Sequence, residues 1–235
     1  MSYLILGSGG LGGALAHELA SRGEEWLLAG RQLPKGLDPA CYFPLQEVDP
    51  LSFDALFTLY DATTLPRVVI NTIGLLHDLS HMPERRVEEV TPQWLGESLQ
   101  ANAWPHLALG ASLSRLMTFE SRLWLCTLSD LAGSLDEAHR EPVRRYGYRM
   151  SKAALNMGSR ILAAEWAERF PGAGVITVHP GLMDTPMQQP FRQEIDPALL
   201  QDPALVAPLL LDLLASLNQA HSGRFVDLRG QPLPW

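Results

Sequence analysis

A single α/β domain built on a doubly wound parallel sheet is predicted by three observations. Short apolar runs alternate with longer helical patterns along the chain, which is how βαβ units read in sequence. A glycine-rich turn, Gly7 to Gly13, falls between the first apolar run and the first helical pattern. The 235 residues are 46% hydrophobic, with no linker, repeat or low-complexity tract, so one sizeable core and one domain spanning 1–235 are expected.

The strand candidates are 2–6, 26–29, 42–45, 67–71, 122–128, 174–179 and 224–228, about seven in all by their short apolar, β-branched character. Helical patterns cover 11–21, 52–62, 91–116, 148–170 and 203–217. The connection between the second and third strands holds Pro34, Gly36 and Pro39 and is poor in helix formers, so a truncated or absent helix is expected there. Segments 72–90 and 180–200 are long and irregular, the kind of loop that carries lids or binding residues.

Composition excludes several classes. A net charge of −8 without a basic stripe argues against nucleic acid and anionic membrane surfaces. No apolar stretch reaches membrane-spanning length, and the start MSYLILGSGG has no charged segment of a signal peptide. Cys41 and Cys126 are the sole cysteines, too few for a disulfide scaffold, so a reduced, cytoplasmic setting is expected. His77 and His81 stand four apart, but no Glu or Cys completes a metal set, so they read as a solvated loop and no metal site is expected.

The strand–turn–helix YLILGSGGLGGALAHELASRG gives the glycines their meaning. Gly7, Gly9 and Gly12 fit G-x-G-x-x-G, while Gly7, Gly10 and Gly13 fit a G-x-x-G-x-x-G spacing. Such a turn lets backbone approach a pyrophosphate that sits on the helix N-terminus, the dinucleotide site of a Rossmann fold. Gly7, Ser8, Gly9, Gly10, Leu11 and Gly12 are the candidate contacts. The second strand ends LLAGRQ, placing Gly30 and Arg31 where NAD-binding chains carry an acid for the ribose hydroxyls. An arginine there can pair with a 2′-phosphate, so NADP(H) is favoured, with NAD(H) as the alternative. Asp49 suits either an adenine contact or a helix cap before Ser52. Asn71 and Gly74 close the fourth strand at its C-terminal end, where open α/β sheets bind ligands. Pro180, Gly181, Met183 and Thr185 form a turn and loop after the GVITVH strand.

Tyr148 and Lys152 lie one helical turn apart in RYGYRMSKAALN, so phenol and ammonium share a face. A nearby cation stabilises a phenolate, which would bring a tyrosine's pKa of about 10 down toward neutrality. Tyr146 has no lysine four residues on. Ser129 follows the apolar strand 122–128, with Ser134 as its competitor, and Asn102 interrupts a long helical pattern although Asn is a poor helix former.

In this order, these residues resemble the short-chain dehydrogenase/reductase family. The phrases NTIGLLHD, HPGLMDTPM and GRFVDLRGQPLPW bring the chain close to the C-factor, or cell-to-cell signalling, branch. The glycine turn is one residue shorter than the family's common pattern, and NTIG stands where Asn-Ala-Gly is usual. The resemblance implies an NADP(H)-dependent oxidoreductase interconverting a carbonyl and an alcohol. Tyr148 would be its general acid/base, Ser129 would polarise the reacting oxygen, Lys152 would lower the Tyr148 pKa and hold the ribose, and Asn102 would hold a water leading to the lysine. Asp49 then matches the family's adenine contact, and Thr185 the carboxamide contact. An NADP(H)-binding signalling or sensor protein without turnover is the other reading. The helix after Lys152 carries Leu155, Met157, Ile161, Leu162 and Trp166 around more than one face, which together with the resemblance implies a homodimer or homotetramer.

Overall fold

The computed structural model describes residues 2–137 and 144–235. Seven strands form one parallel sheet in the order β3-β2-β1-β4-β5-β6-β7. They are β1 (Ser2–Leu6), β2 (Glu25–Gly30), β3 (Tyr42–Pro44), β4 (Val68–Asn71), β5 (Trp124–Leu128), β6 (Gly174–His179) and β7 (Arg224–Asp227). The helices are α1 (Gly10–Ser21), α2 (Pro50–Phe57), α3 (Pro92–Asn102), α4 (Trp104–Leu116), α5 (Tyr146–Arg169) and α6 (Pro203–Ala215). The doubly wound reading therefore holds over the chain. The β2–β3 connection contains no more than a 3₁₀ turn at Pro39–Cys41, as its prolines and glycine predict.

Period-two alternation in strands buried on both faces divides the core in two. Ile5, Ile70, Cys126, Ile176 and Val226 face α1 and α6 on one side. Leu4, Leu6, Val69, Leu125 and Val175 face α2, α4 and α5 on the other. The order reverses between β1 and β4, where Leu6 of β1 pairs with Ala29 of β2 and Asn71 of β4, so the crevice of this sheet opens where β1 and β4 end.

Two expectations are corrected by packing. The single helix expected over 91–116 is two, because Pro105 supplies no N–H and its ring opposes continuation of the preceding turn. Trp166 does not belong to an outward face of α5: it is fully buried, and its indole N–H donates to Ser114 Oγ at 2.8 Å. The outward apolar residues of α5 are Met150, Met157 and Ile161, joined on α4 by Trp104 and Leu107. No helix among the described residues is long and apolar enough to cross a membrane.

Candidate functional site

The glycine turn sits at the β1–α1 junction. Gly7 adopts φ +95°, a left-handed conformation that side chains resist, and a Cβ at Gly12 would lie 1.8 Å from the Gly7 carbonyl oxygen. A Cβ at Gly9 would meet open space. The α1 N-terminus has Gly9 as its cap, with no side chain bonded to its first amides, whereas Asp49, Thr91 and Asp202 cap α2, α3 and α6. Unclaimed N–H groups and the helix dipole make such an end suited to a phosphate. An open groove of about 600 Å³ runs from Ser8, Gly9 and Gly10 between α1 and α6 past Pro34 and Asp202. It touches the turn but not Tyr148 or Lys152.

Arg31 follows β2 and is exposed. The strand ends in glycine because Ser8 packs against it: a Cβ at Gly30 would fall 2.6 Å from Ser8 Cβ. Asp49 is committed to α2, its Oδ1 accepting from the Ser52 amide at 2.7 Å, which holds its carboxyl below the ordinary carboxylate value. Of the two readings of Asp49, this geometry realises the cap. Asn71 is fully buried at the end of β4; its Oδ1 accepts from the Ile73 amide, and its Nδ2 has no partner among the described residues. The pattern of a glycine cradle, an uncapped helix end and an orphaned amide donor fits a dinucleotide in the crevice.

Gly74 marks where the loop after β4 meets the catalytic candidates. A Cβ there would lie 3.3 Å from Asn102 Oδ1 and 3.6 Å from Lys152 Nζ. Asn102 is fully buried at the α3–α4 break. Its side chain accepts from the Leu75 amide (2.7 Å) and donates to the Leu75 carbonyl (2.8 Å) and Ser151 Oγ (2.8 Å). It stitches this loop to α5. The segment carrying Pro180, Gly181 (φ +81°), Met183 and Thr185 crosses toward the glycine turn, and a Cβ at Gly10 would meet Thr185 Cγ2 at 2.5 Å. Farther on, Phe191 and Met187 pack with Tyr148 and Leu76. His77 Nε2 lies 3.2 Å from the Met187 carbonyl, which ties it to this segment. His81 instead groups with Asp78 and Glu97, three ligand-type residues in or beside the same loop, although the sequence shows no metal-ligand spacing there.

The surroundings of Tyr148 differ from the expected ones in the partner of its hydroxyl. Tyr148 and Lys152 share the buried face of α5, as their spacing requires. Tyr148 donates its hydroxyl to Asp130 Oδ2 at 2.9 Å. Ser129, assigned to this place from sequence, turns away and donates to Asn156 Oδ1 at 2.6 Å. Ser134 Oγ accepts from the Glu137 amide and is elsewhere as well. β5 ends at Leu128, and Asp130 caps the 3₁₀ turn that follows, so both residues lie against α5: Ser129 meets Asn156 about two turns along the helix, and the Asp130 carboxylate meets the Tyr148 phenol.

The electrostatics follow. Burial pushes the Tyr148 phenol well above 10, and the Asp130 carboxylate, by charge and hydrogen bond, pushes it further. Lys152 Nζ donates to the Leu128 carbonyl at 3.0 Å; burial brings it down to about 8, with Asp130 pulling the other way. The expected lowering of the phenol by the lysine is not what this geometry produces. Burial alone would raise the Asp130 carboxyl, but His179, the Ala132 amide, the Tyr148 hydroxyl and Lys152 together hold it below its ordinary value.

No protein-family model matches the chain. A stretch of 90 residues is 40% identical to the C-signal protein of Myxococcus xanthus; it makes up 38% of this chain and about half, 49%, of that protein. The whole chain superposes on the carbonyl reductase Sniffer of Drosophila melanogaster, with a TM-score of 0.81, 21% identity and 99% of that chain covered. It also superposes on an NADPH-bound carbonyl reductase from chicken fatty liver (TM-score 0.80, 21% identity, 98% of that chain). A short-chain dehydrogenase/reductase from Burkholderia multivorans with bound NADP matches at a TM-score of 0.76 and 23% identity over 99% of that chain. With one parallel seven-stranded sheet, the glycine turn at its first crossover and Tyr148 and Lys152 on α5, the chain has the short-chain dehydrogenase/reductase fold.

Proposed function

We propose that this chain is an NADP(H)-dependent oxidoreductase that interconverts a carbonyl and an alcohol, with Tyr148 handling the proton. The observation that carries this reading is the meeting of Tyr148, Lys152 and Asp130 at the C-terminal edge of the sheet. The uncapped glycine turn that opens the same fold supports a bound dinucleotide. The nicotinamide would supply or accept hydride, while the protein orients the substrate and moves the proton. Gly7 to Gly12 would hold the pyrophosphate; Asn71, Gly74, Pro180, Gly181, Met183 and Thr185 would border the nicotinamide half. Ser129 would support the centre through Asn156, and Asn102 would fix the loop beside Lys152.

Arg31, exposed at the end of β2 in the run LLAGRQ, favours NADP(H), as do two structural neighbours that hold NADPH and NADP. Hydrogen bonds to charged groups contribute about 1.5–3 kcal/mol, about 10- to 150-fold in affinity. Arg31→Asp is expected to weaken NADPH by that factor and leave NADH nearly unchanged in a fluorescence titration. Equal losses would remove the specificity assignment. Tight cofactor binding with no turnover on a broad panel of aldehydes, ketones and alcohols would move the protein to the sensor reading.

Self-association would cover the outward side chains of Met150, Met157 and Ile161 on α5, which are exposed by 51%, 61% and 61%. Ile161→Glu places a charge on that face, so light scattering should report a smaller species than wild type. A monomeric wild type would end this part of the proposal.

A further inference from the structure

We propose that Asp130 is the terminal proton acceptor of the site, acting through Tyr148, and that it sets the site to receive a hydroxyl-bearing substrate, an alcohol, rather than a bare carbonyl. This deepens the oxidoreductase reading above and rests on it.

The argument starts from hydrogen-bond direction. A phenol has one proton to donate and two lone pairs to accept with. The Tyr148 proton is directed at Asp130 Oδ2, 2.9 Å away, so the phenol oxygen offers an approaching ligand its lone pairs. An ionised carboxylate has no proton to give. A hydroxyl, which carries a proton, therefore meets acceptors that suit it. A carbonyl oxygen, which can only accept, meets oxygens that do the same, unless Tyr148 first breaks its bond to Asp130.

The proton movement balances. The substrate hydroxyl donates to Tyr148 Oη. As the carbinol carbon gives up hydride to the oxidised nicotinamide, the substrate O–H bond breaks and its proton bonds to Tyr148 Oη. The proton already on Tyr148 crosses to Asp130 Oδ2. The substrate oxygen ends as a carbonyl, and Tyr148 is a neutral phenol before and after, so a raised phenol pKa is no obstacle. Asp130 ends as a carboxylic acid and returns the proton to water, a route given by the 21% exposure of its side chain.

Other groups facing the pair hold Asp130 ready as a base. The Ala132 amide donates to Oδ1 at 3.0 Å, and His179 Nδ1, at the end of β6, lies 3.8 Å from the same oxygen. Lys152 on α5 acts on it through charge, and Arg145, just before α5, acts on Tyr148. These are the charged and titratable groups acting on the two residues among those described. Because the carboxyl lies below its ordinary value, it is ionised at neutral pH.

The test compares wild type, Asp130→Asn, Asp130→Ser and Tyr148→Phe in NADP+-linked oxidation of secondary alcohols and NADPH-linked reduction of the matching ketones, from acid to alkaline pH. A second readout needs no turnover: ultraviolet difference titration of the Tyr148 phenol in cofactor-free protein, with Tyr148→Phe as the blank. Asp130→Asn is expected to slow alcohol oxidation by about 10²-fold or more, to slow ketone reduction by a similar factor at the same pH because both directions share one transition state, and to weaken binding of the alcohol relative to the ketone. It should remove the acid-side fall of the oxidation profile and let the phenol ionise at lower pH than in wild type. Asp130→Ser, which supplies a proton donor, should bind the ketone more tightly relative to the alcohol than wild type does; it carries the test alone if the Asn variant does not fold. Oxidation within a few-fold of wild type in the folded variant, or an unchanged phenol titration, overturns the proposal. Absence of turnover in wild type in both directions removes the oxidoreductase reading and this inference with it. Turnover lost in Tyr148→Phe but intact in Asp130→Asn leaves that reading standing and removes only the role of Asp130.

Discussion

Two clusters of polar side chains are held between the C-terminal half of β5 and helix α5, and they differ in how completely they are satisfied. In the deeper one His106, from α4, bridges Thr127 Oγ1 (2.6 Å) and Ser159 Oγ (3.1 Å). Ser159 gives its own proton to the Leu155 carbonyl, so the imidazole must donate from Nε2 and accept at Nδ1. That is a neutral histidine with both nitrogens paired, and burial brings it down to about 4. In the outer cluster, a few residues further along β5, Asp130, Tyr148 and Lys152 are all buried or half-buried, and two of them carry charge near neutral pH. The inner group is neutral where the protein works. The outer one keeps an ammonium in a place that disfavours it, which is how sites for chemistry differ from sites for packing.

The largest expected effect separates the clusters by activity. Tyr148→Phe should lower turnover by about 10²- to 10⁴-fold, as loss of a proton-transferring group does, with cofactor affinity nearly unchanged. Steady-state kinetics beside a cofactor titration checks it. Wild-type turnover in this variant would place the outer cluster with the inner one, as packing.

Next comes stability in acid. His106 binds its proton at about 4 in the folded chain, against about 6.5 unfolded. The unfolded state therefore holds more protons in that window, and stability falls as pH drops from about 6.5 to 4. The full shift amounts to about 3 kcal/mol at 1.36 kcal/mol per pKa unit. Urea unfolding of wild type and His106→Gln across the window should show wild type losing about that much more. Parallel curves would mean the imidazole is not neutral inside.

Lys152 sharpens the comparison from the other side. Its folded value of about 8 lies below the ordinary 10.5. Between those values the unfolded chain again holds more protons, so stability rises with pH above about 8 until the tyrosines begin to ionise near 10. The gain is about 2–3 kcal/mol at the same 1.36 kcal/mol per unit. Lys152→Met, compared with wild type by the same method, should lack this rise. A rise of equal size in the variant would assign it to other groups.

How much of this was legible in the sequence depended on the range of the interactions. The glycine turn, strand alternation and the Tyr148–Lys152 spacing are local, set by sterics and by the helical and strand periods, and each appears where its pattern places it. The helix break beside Asn102 had a local cause too, Pro105, although its position at Ala103 emerges only in the fold. Asp49 as cap or ligand contact could not be decided locally, since one carboxylate suits both until the path of α2 is known.

By itself the sequence determined the layered α/β order, the place of the crevice and the shared face of Tyr148 and Lys152, because backbone geometry and side-chain period act over a few residues. Only the tertiary structure decided that Trp166 turns into the core and that the phenol's partner is Asp130 rather than Ser129. Both depend on how α5 packs against the core and against the turn that follows β5, and that choice is made by elements far apart in sequence.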